Sequence, residues 1–130
     1  MHIIILYISA STKYISGTCD GTYDASKNEI RSPNFPEPYE NNKLCTWRIL
    51  APVGKVIELQ FREFDVENST LCVKDQLNVY DGKKYKRIAT LCGSTVPEKI
   101  MSLGHTLKLK FLTNIRKNRN GFRIKFKIKG

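Results

Sequence analysis

Short runs of alternating apolar and polar residues recur along the chain after Cys19. They occupy six stretches, at residues 46–51, 56–61, 76–80, 87–91, 107–112 and 122–128. Turn-forming residues separate the runs, and no window of the sequence sustains a helical period. Many short strands with frequent turns predict an all-β sandwich. The segment between the first two runs, Pro52-Val53-Gly54-Lys55, is a turn by composition, so we expect these two strands to form a hairpin.

The last two predicted strands alternate cleanly. In the first, Leu107, Leu109 and Phe111 take one face; in the second, Ile124, Phe126 and Ile128 do. If both strands bury these residues in one core, six cations face solvent: Lys108, Lys110, Arg123, Lys125, Lys127 and Lys129. Like charges on adjacent strands disfavour pairing, so stability alone does not account for the pattern.

Length and charge narrow the class of protein. The 130 residues suit one domain, and the hydrophobic fraction of 41% is ordinary for a globular protein. The net charge of +10 is high for this length. Residues 1–98 hold 12 basic and 12 acidic side chains, whereas residues 99–130 hold 10 basic ones and no acid. The whole charge imbalance therefore belongs to the last quarter of the chain.

The first ten residues are an apolar stretch that ends in small residues. Their length suits the apolar core of a secretory signal and is too short to span a bilayer. We predict a signal peptide over residues 1–17, with cleavage after Ala10 or near Gly17, and one domain over residues 18–130. A truncated gene model or a buried first strand is the alternative. No other segment is predicted to cross a membrane.

Four cysteines are spread along the chain: Cys19, Cys45, Cys72 and Cys92. Their spacing is too wide for a zinc knuckle, which needs two close Cys/His pairs. An even number of cysteines behind an apolar N-terminus favours disulfides and an extracellular location. Four cysteines allow three pairings, and the spacing alone does not choose among them.

A proline-rich corner is the most informative motif. Two prolines three residues apart exclude a helix or a central strand, so Ser32-Pro33-Asn34-Phe35-Pro36 predicts a rigid extended corner leading into a strand with a buried Trp47. Further elements follow in a fixed order: Tyr39, Cys45, Phe61, Phe64, Cys72, Asp75, Tyr80-Asp81-Gly82, Leu91-Cys92-Gly93, Phe111 and Gly121-Phe122. Together they make residues 19–128 resemble the CUB domain, an extracellular binding module.

The resemblance implies the fold and the disulfides. CUB domains are antiparallel, jelly-roll-like β-sandwiches in which neighbouring cysteines pair, here Cys19 with Cys45 and Cys72 with Cys92. By the loop-entropy model each bridge would contribute about 3 to 4 kcal/mol to the free energy of unfolding.

The resemblance also implies a calcium site at one end of the sandwich. Many CUB domains hold the ion with three acids braced by a tyrosine. Two acids match here, Glu67 and Asp75, and Tyr39 matches the bracing residue; Asn114 stands where the third acid is expected. Calcium needs six to eight oxygens, and its affinity depends on how many carry charge. Calcium is therefore a candidate cofactor. The alternative is that Glu67 and Asp75 stabilise a turn and accept backbone amide hydrogen bonds.

The cations next to that site affect the charge that we expect of the partner. Arg116, Lys117 and Arg119 share a loop with Asn114, and a unit charge at about 8 Å costs a cation on the order of 2 kcal/mol. The family's calcium site often receives a lysine from the partner, so an anionic partner is the better expectation here. With Lys108, Lys110, Arg123, Lys125, Lys127 and Lys129, these cations are predicted to bind an extracellular protein or a sulfated glycosaminoglycan.

The cations have two other interpretations. Lysines also blunt an edge strand and keep a small module soluble. Nucleic acid is not expected, because the outward positions of the last two strands lack interleaved aromatic residues. Asn68-Ser69-Thr70 is the one N-glycosylation sequon, and its position after Glu67 predicts a glycan near the calcium end.

The sequence does not favour catalysis. Only His2 and His105 can act as imidazole bases, and no zinc-protease, nucleophile-elbow or phosphate-loop motif is present. His105 is predicted to be a turn residue before a strand. We therefore expect a secreted, non-catalytic binding module. The alternative is an isolated or truncated CUB domain of a larger extracellular protease, either an astacin or tolloid-like metalloprotease or a complement-like serine protease.

Overall fold

The computed structural model describes residues 19–114 and 119–130, and they form two packed β-sheets. The strands are β1 (Gly21–Tyr23), β2 (Glu29–Arg31), β3 (Leu44–Leu50), β4 (Val56–Asp65), β5 (Gln76–Asp81), β6 (Arg87–Leu91), β7 (Ile100–Met101), β8 (Thr106–Leu112) and β9 (Gly121–Lys129). A 3-10 turn, Thr70–Cys72, lies between β4 and β5. The predicted all-β sandwich is confirmed. The predicted signal peptide and two of the predicted anion-binding residues, Arg116 and Lys117, lie outside the described residues.

The strands divide between a five-stranded sheet in the order β1-β3-β8-β5-β6 and a four-stranded sheet in the order β2-β9-β4-β7. The pair β1–β3 is parallel and the other pairs are antiparallel.

The predicted hairpin of β3 and β4 is wrong, because the two strands belong to different sheets. Both edges of β3 are occupied by β1 and β8, and both edges of β4 by β9 and β7. The turn at residues 52–55 is present, with the N–H of Lys55 donating to the carbonyl of Pro52 at 3.0 Å. It carries the chain from one sheet to the other, which lets the apolar faces of the two strands meet across the core.

The core lies between the sheets and is rich in aromatic residues. Trp47, Tyr39, Phe111 and Phe122 are fully buried. Their rings meet edge to face, with centroids 5.8 Å apart for Trp47–Phe122, 4.9 Å for Tyr39–Phe111 and 5.0 Å for Phe111–Phe122. Burying a large apolar side chain contributes about 1.5 to 3 kcal/mol, so this cluster is a main source of stability.

Both disulfides pair as the resemblance implied. Cys19 bonds to Cys45 and Cys72 bonds to Cys92. The first fastens the segment before β1 to β3. The second ties the loop after β4 to the end of β6.

The proline-rich corner packs against the start of β9. Ser32 donates its N–H to the carbonyl of Phe122 at 3.0 Å, and its hydroxyl oxygen accepts the N–H of Phe122 at 2.9 Å. The Phe35–Pro36 peptide is cis, and Phe35 is buried. This corner places Tyr39 in the core at one end of the sandwich.

Candidate functional site

Four residues that the resemblance assigned to a calcium site lie together at one end of the sandwich. The Tyr39 hydroxyl donates to Asp75 Oδ2 at 2.6 Å and accepts the backbone N–H of Glu67 at 3.0 Å. Asn114 donates its backbone N–H to Asp75 Oδ1 at 2.7 Å and its side-chain amide to Glu67 Oε1 at 3.1 Å. They meet because Glu67 follows β4, Asp75 precedes β5 and Asn114 follows β8, and these three strand ends share one end of the fold.

The two carboxylates in this cluster are buried. Asp75 is 1% exposed and Glu67 is 6% exposed. Burial raises the pKa of Asp75 above its ordinary value, and the nearby charge of Glu67 raises it further, although hydrogen bonds from Tyr39 and Asn114 act in the opposite direction. Burial and the bond to Asp75 likewise raise the pKa of the Tyr39 hydroxyl, which therefore stays protonated as the donor.

The cluster combines features of the two roles that the sequence left open, a structural role and a calcium site. Asp75 accepts a backbone amide hydrogen bond, which is a structural role. The buried carboxylate oxygens, together with the Asn114 amide, are also groups that calcium binds. Across residues 19–114 and 119–130 no three His, Cys, Asp or Glu side chains group closely enough to hold a metal ion. The cluster contains two acidic side chains, Glu67 and Asp75.

Arg119, one of the cations predicted to oppose a metal here, is paired with an acid. Its guanidinium lies 3.0 Å from Asp65 Oδ1, and its carbonyl accepts the N–H of Tyr39 at 3.1 Å. Asp65 offsets its charge at this end of the fold.

The cations of β9 lie on the outer face of the four-stranded sheet, opposite acids. Arg123 Nε lies 2.8 Å from Glu63, Arg123 Nη1 lies 3.2 Å from Glu29, and Lys129 lies 3.2 Å from Glu58. Lys125 Nζ is 3.9 Å from Glu29. Burial would raise the pKa of Glu29, but hydrogen bonds from Arg31 and Arg123 outweigh it and lower that pKa.

The cations of β8 lie on the outer face of the other sheet, beside tyrosines. Lys108 Nζ is 4.1 Å from the centroid of the Tyr85 ring, and Lys110 Nζ is 5.8 Å from that of Tyr80. The outward positions of β8 hold no aromatic residue, as the sequence indicated, but tyrosines from elsewhere in the chain lie beside its cations. Tyr80 comes from β5 and Tyr85 from the loop after it, and the pattern of β8 alone contains no sign of either.

Two further residues that the sequence singled out lie outside these clusters. Asn68 is exposed in the loop between β4 and β5, directly after Glu67. His105 precedes β8 as predicted, and its Nδ1 lies 3.1 Å from the carbonyl oxygen of Ala51. No helix in the described part of the chain is long and apolar enough to cross a membrane.

Comparison with known proteins identifies the fold. The family model for the CUB domain matches residues 19–126. The chain is 34% identical over 110 residues to human Tumor necrosis factor-inducible gene 6 protein, covering 83% of this chain and 40% of that protein. It is 36% identical over 106 residues to mouse Tolloid-like protein 1, covering 80% of this chain and 10% of that protein. The chain thus spans less than half of either relative.

A solved structure agrees with the sequence relatives. The MASP-1 CUB2 domain bound to Ca2+ superposes with a TM-score of 0.76 at 26% identity, covering 84% of this chain and 99% of that domain. Family model, relatives and structure agree, and the chain belongs to the CUB domain family.

Proposed function

We propose that this chain is a secreted, non-catalytic CUB module that binds an extracellular protein or a sulfated glycosaminoglycan through its cationic surface. The observation that carries this proposal is the net charge of +10, with cations displayed on the outer faces of both sheets. The burial of the acids at the end of the fold supports it, because Asp75 and Glu67 offer almost no surface to a lysine side chain of a partner. Long-range attraction would steer an acidic ligand toward such a surface.

Secretion is supported by the two disulfides, which persist in oxidising compartments. Residues 1–17 would be the signal peptide and residues 18–130 the mature module. The N-terminus of the protein recovered from culture medium tests this division. We expect it to begin between Ser11 and Cys19, and a mature protein that begins at Met1 would contradict it.

The second candidate is a CUB domain that belongs to a larger extracellular protease. The likeness to Tolloid-like protein 1 favours it, since this chain matches only 10% of that protein. The mass of the native protein separates the candidates. A species of at most 14.9 kDa plus any glycan, smaller where the signal peptide has been removed, supports the free-standing module, whereas a much larger one supports the protease.

Binding to a sulfated glycan is tested by comparing two columns of similar charge. We expect the full chain to elute from heparin at a higher salt concentration than from a sulfonate cation exchanger, because a specific surface adds contacts beyond net charge. Elution at the same or lower salt from heparin would contradict a glycan partner.

Calcium is proposed as a weakly bound cofactor of Glu67, Asp75 and Asn114, braced by Tyr39. Its support is the pair of buried carboxylates and the likeness to a CUB domain solved with Ca2+. The Asn114 amide nitrogen now faces Glu67, so rotation of that amide would turn its oxygen toward the carboxylates. The bound ion would cross-link three strand ends. With two acids we expect a dissociation constant on the order of 10⁻⁴ to 10⁻³ M, as for other extracellular modules.

Thermal melts in calcium and in chelator test this site. An ion bound only by the folded state raises the midpoint by mass action, so we expect a rise at millimolar calcium. Asn114→Asp supplies a third acid and should enlarge that rise, while Glu67→Gln should abolish it. No rise in either the wild type or Asn114→Asp would remove calcium from the account.

Glycosylation of Asn68 is also proposed, since the side chain is exposed in a loop. Treatment of the secreted protein with a glycosidase that removes N-glycans should lower its mass. The variant Asn68→Gln should show no such change. An unchanged wild-type mass would refute the modification.

A further inference from the structure

The topology separates the two cationic strands that the sequence places side by side. Strand β8 lies in the middle of the five-stranded sheet and β9 lies inside the four-stranded sheet. Both bury their apolar residues between the sheets, so their cations face opposite sides of the molecule. The basic C-terminal quarter is therefore two surfaces, and each is completed by strands from elsewhere in the chain.

The outer face of the four-stranded sheet is partly neutralised. Its strands contain six basic and four acidic residues. Three of the acids stand directly opposite cations in the strand register: Glu29 with Lys125, Glu58 with Lys127 and Glu63 with Arg123. Cross-strand pairs of opposite charge stabilise a sheet, which gives these cations a structural role.

The outer face of the five-stranded sheet lacks this compensation. Its strands contain four basic residues, Arg48, Arg87, Lys108 and Lys110, and one acid, Asp81. Asp81 is buried, and its carboxylate accepts the backbone N–H groups of the following turn at 3.4 Å. Within the described residues, no carboxylate lies within 4.0 Å of any of the four cations.

Two of these cations oppose each other at the centre of the face. Arg48 and Lys108 are direct partners in the β3–β8 register, and Lys108 is only 6% exposed. Like charges in this position disfavour strand pairing. Tyr85 folds over Lys108, and a hydrogen bond donated by Arg48, followed by the charges of Lys108 and Arg48, lowers the pKa of the Tyr85 hydroxyl. Tyr85 thus contacts both cations of this like-charged pair.

We propose that a sulfated glycosaminoglycan lies across the outer face of the five-stranded sheet. Arg48, Arg87 and Lys110 would contact its sulfate and carboxylate groups, and Tyr80 and Tyr85 would contact its sugar rings. Lys108 would add its charge from beneath the Tyr85 ring. This inference rests on the proposed function and names the surface and the ligand class. The residues Arg48, Arg87, Tyr80 and Tyr85 are added to the site by the fold, since nothing in the sequence groups them.

The exposed tyrosine beside the cations favours a polysaccharide over an acidic peptide. Lys108 and Lys110 are two residues apart on one strand, about 7 Å, and Arg48 lies about 5 Å across from Lys108. These charges are spread over a sheet face, as a chain with repeated anionic groups requires. The Tyr85 side chain is 59% exposed, so its ring is available for stacking on a sugar. Thr46, a register partner of Lys110, adds a hydrogen-bonding side chain beside the cations.

Two matched double variants test the surface. Arg48→Gln/Lys110→Gln and Lys125→Gln/Lys127→Gln each remove two positive charges from the full chain, one pair from each sheet. Using an immobilised heparin oligosaccharide, we expect the first pair to weaken binding by about tenfold and the second by less than about threefold. Thermal melts of both variants check that the fold is retained.

A third variant tests the Tyr85 ring and leaves those charges in place. Tyr85→Ala should weaken heparin binding several-fold, whereas Tyr85→Phe, which keeps the ring, should retain most of it. Competition by polyglutamate as effective as that by heparin would assign the face to an acidic polypeptide and overturn the glycan inference.

The remaining outcomes separate this inference from the proposed function. Equal losses from the two double variants, or a greater loss from Lys125→Gln/Lys127→Gln, would overturn the choice of surface while leaving heparin binding established. A wild-type chain that does not bind heparin would overturn both the glycan function and this surface.

Discussion

The Tyr39 side chain connects the core to the acidic cluster. Its ring packs on Phe111, and its hydroxyl bonds to both Asp75 and the backbone of Glu67. The resemblance assigned Tyr39 a bracing role, and the structure gives that role two hydrogen bonds. Because Asp75 is buried, its carboxylate depends on the donors around it.

We predict that Tyr39→Phe lowers the free energy of unfolding by about 1 to 3 kcal/mol, because a buried carboxylate and a buried backbone N–H each lose a partner. Urea denaturation in chelator measures this without any contribution from calcium. Tyr23→Phe removes a hydroxyl from a half-buried ring and should cost less than about 0.5 kcal/mol. Equal costs for the two variants would show that the Tyr39 hydroxyl is not structurally important.

The charge pairs around Glu29 predict a pH dependence. Because the pKa of Glu29 is lowered in the folded state from 4.5, its ionised form stabilises the fold above pH 4.5, and this contribution is lost as the pH falls through the folded pKa. Glu29→Gln should therefore lower the unfolding free energy by about 1 kcal/mol at neutral pH. The difference from wild type should shrink on acidification below pH 4.5.

Urea denaturation at a series of pH values measures that difference. Glu37→Gln, at an exposed position in the proline-rich corner, is the control and should leave stability unchanged. A gap between wild type and Glu29→Gln that stays constant or grows as the pH falls would contradict the role of these charge pairs.

At the scale of the elements, Gly121 sets the junction between the proline-rich corner and β9. Its φ of +93° is in the left-handed region, and a Cβ there would overlap the hydroxyl of Ser32. Gly54 has a similar φ of +91° but no atom within 4 Å of its Cβ position. Substitutions at the two glycines therefore distinguish the cost of backbone strain from the cost of steric overlap.

Gly121→Ala should cost about 2 kcal/mol more unfolding free energy than Gly54→Ala, because only the first adds overlap in a packed region to the strain of a positive φ. Chemical denaturation of both variants gives the comparison. If Gly54→Ala is equally destabilising, the Ser32 contact does not constrain the junction.

The sequence predicted the existence of the six longer strands but not their partners. Alternation shows which residues of a strand face the core. It does not show the partner of that strand, because a strand buries the same residues whether the next strand lies in its own sheet or in the facing sheet. The apolar sets of β3 and β4 were therefore compatible with a hairpin, although the strands face each other across the core. Strands β1, β2 and β7 have three, three and two residues, too few for a period to be detected.

At the scale of the whole molecule, the distribution of charge depends on topology. The excess of cations in residues 99–130 was visible in the sequence, as was the alternation that turns them outward. Their neutralisation by Glu29, Glu58 and Glu63 was not, because these acids come from strands distant in the sequence. The tyrosines beside Lys108 and Lys110 were hidden for the same reason.

The acidic cluster was predictable because the family motif specifies residues at fixed offsets from the cysteines and aromatic residues. Glu67, Asp75, Tyr39 and Asn114 meet at one end of the fold as that motif implies. The motif does not contain the hydrogen bond from the Asn114 amide to Glu67, which follows from the replacement of an acid in this chain.

Lysine acetylation of the unmodified full chain, with and without a heparin oligosaccharide, tests the central claim most directly. Lys110 reports on the five-stranded sheet and the exposed Lys127 on the four-stranded one. We predict that heparin lowers the acetylation rate of Lys110 several-fold and leaves that of Lys127 nearly unchanged. Protection of Lys127 without protection of Lys110, or no protection of either lysine, would contradict the account.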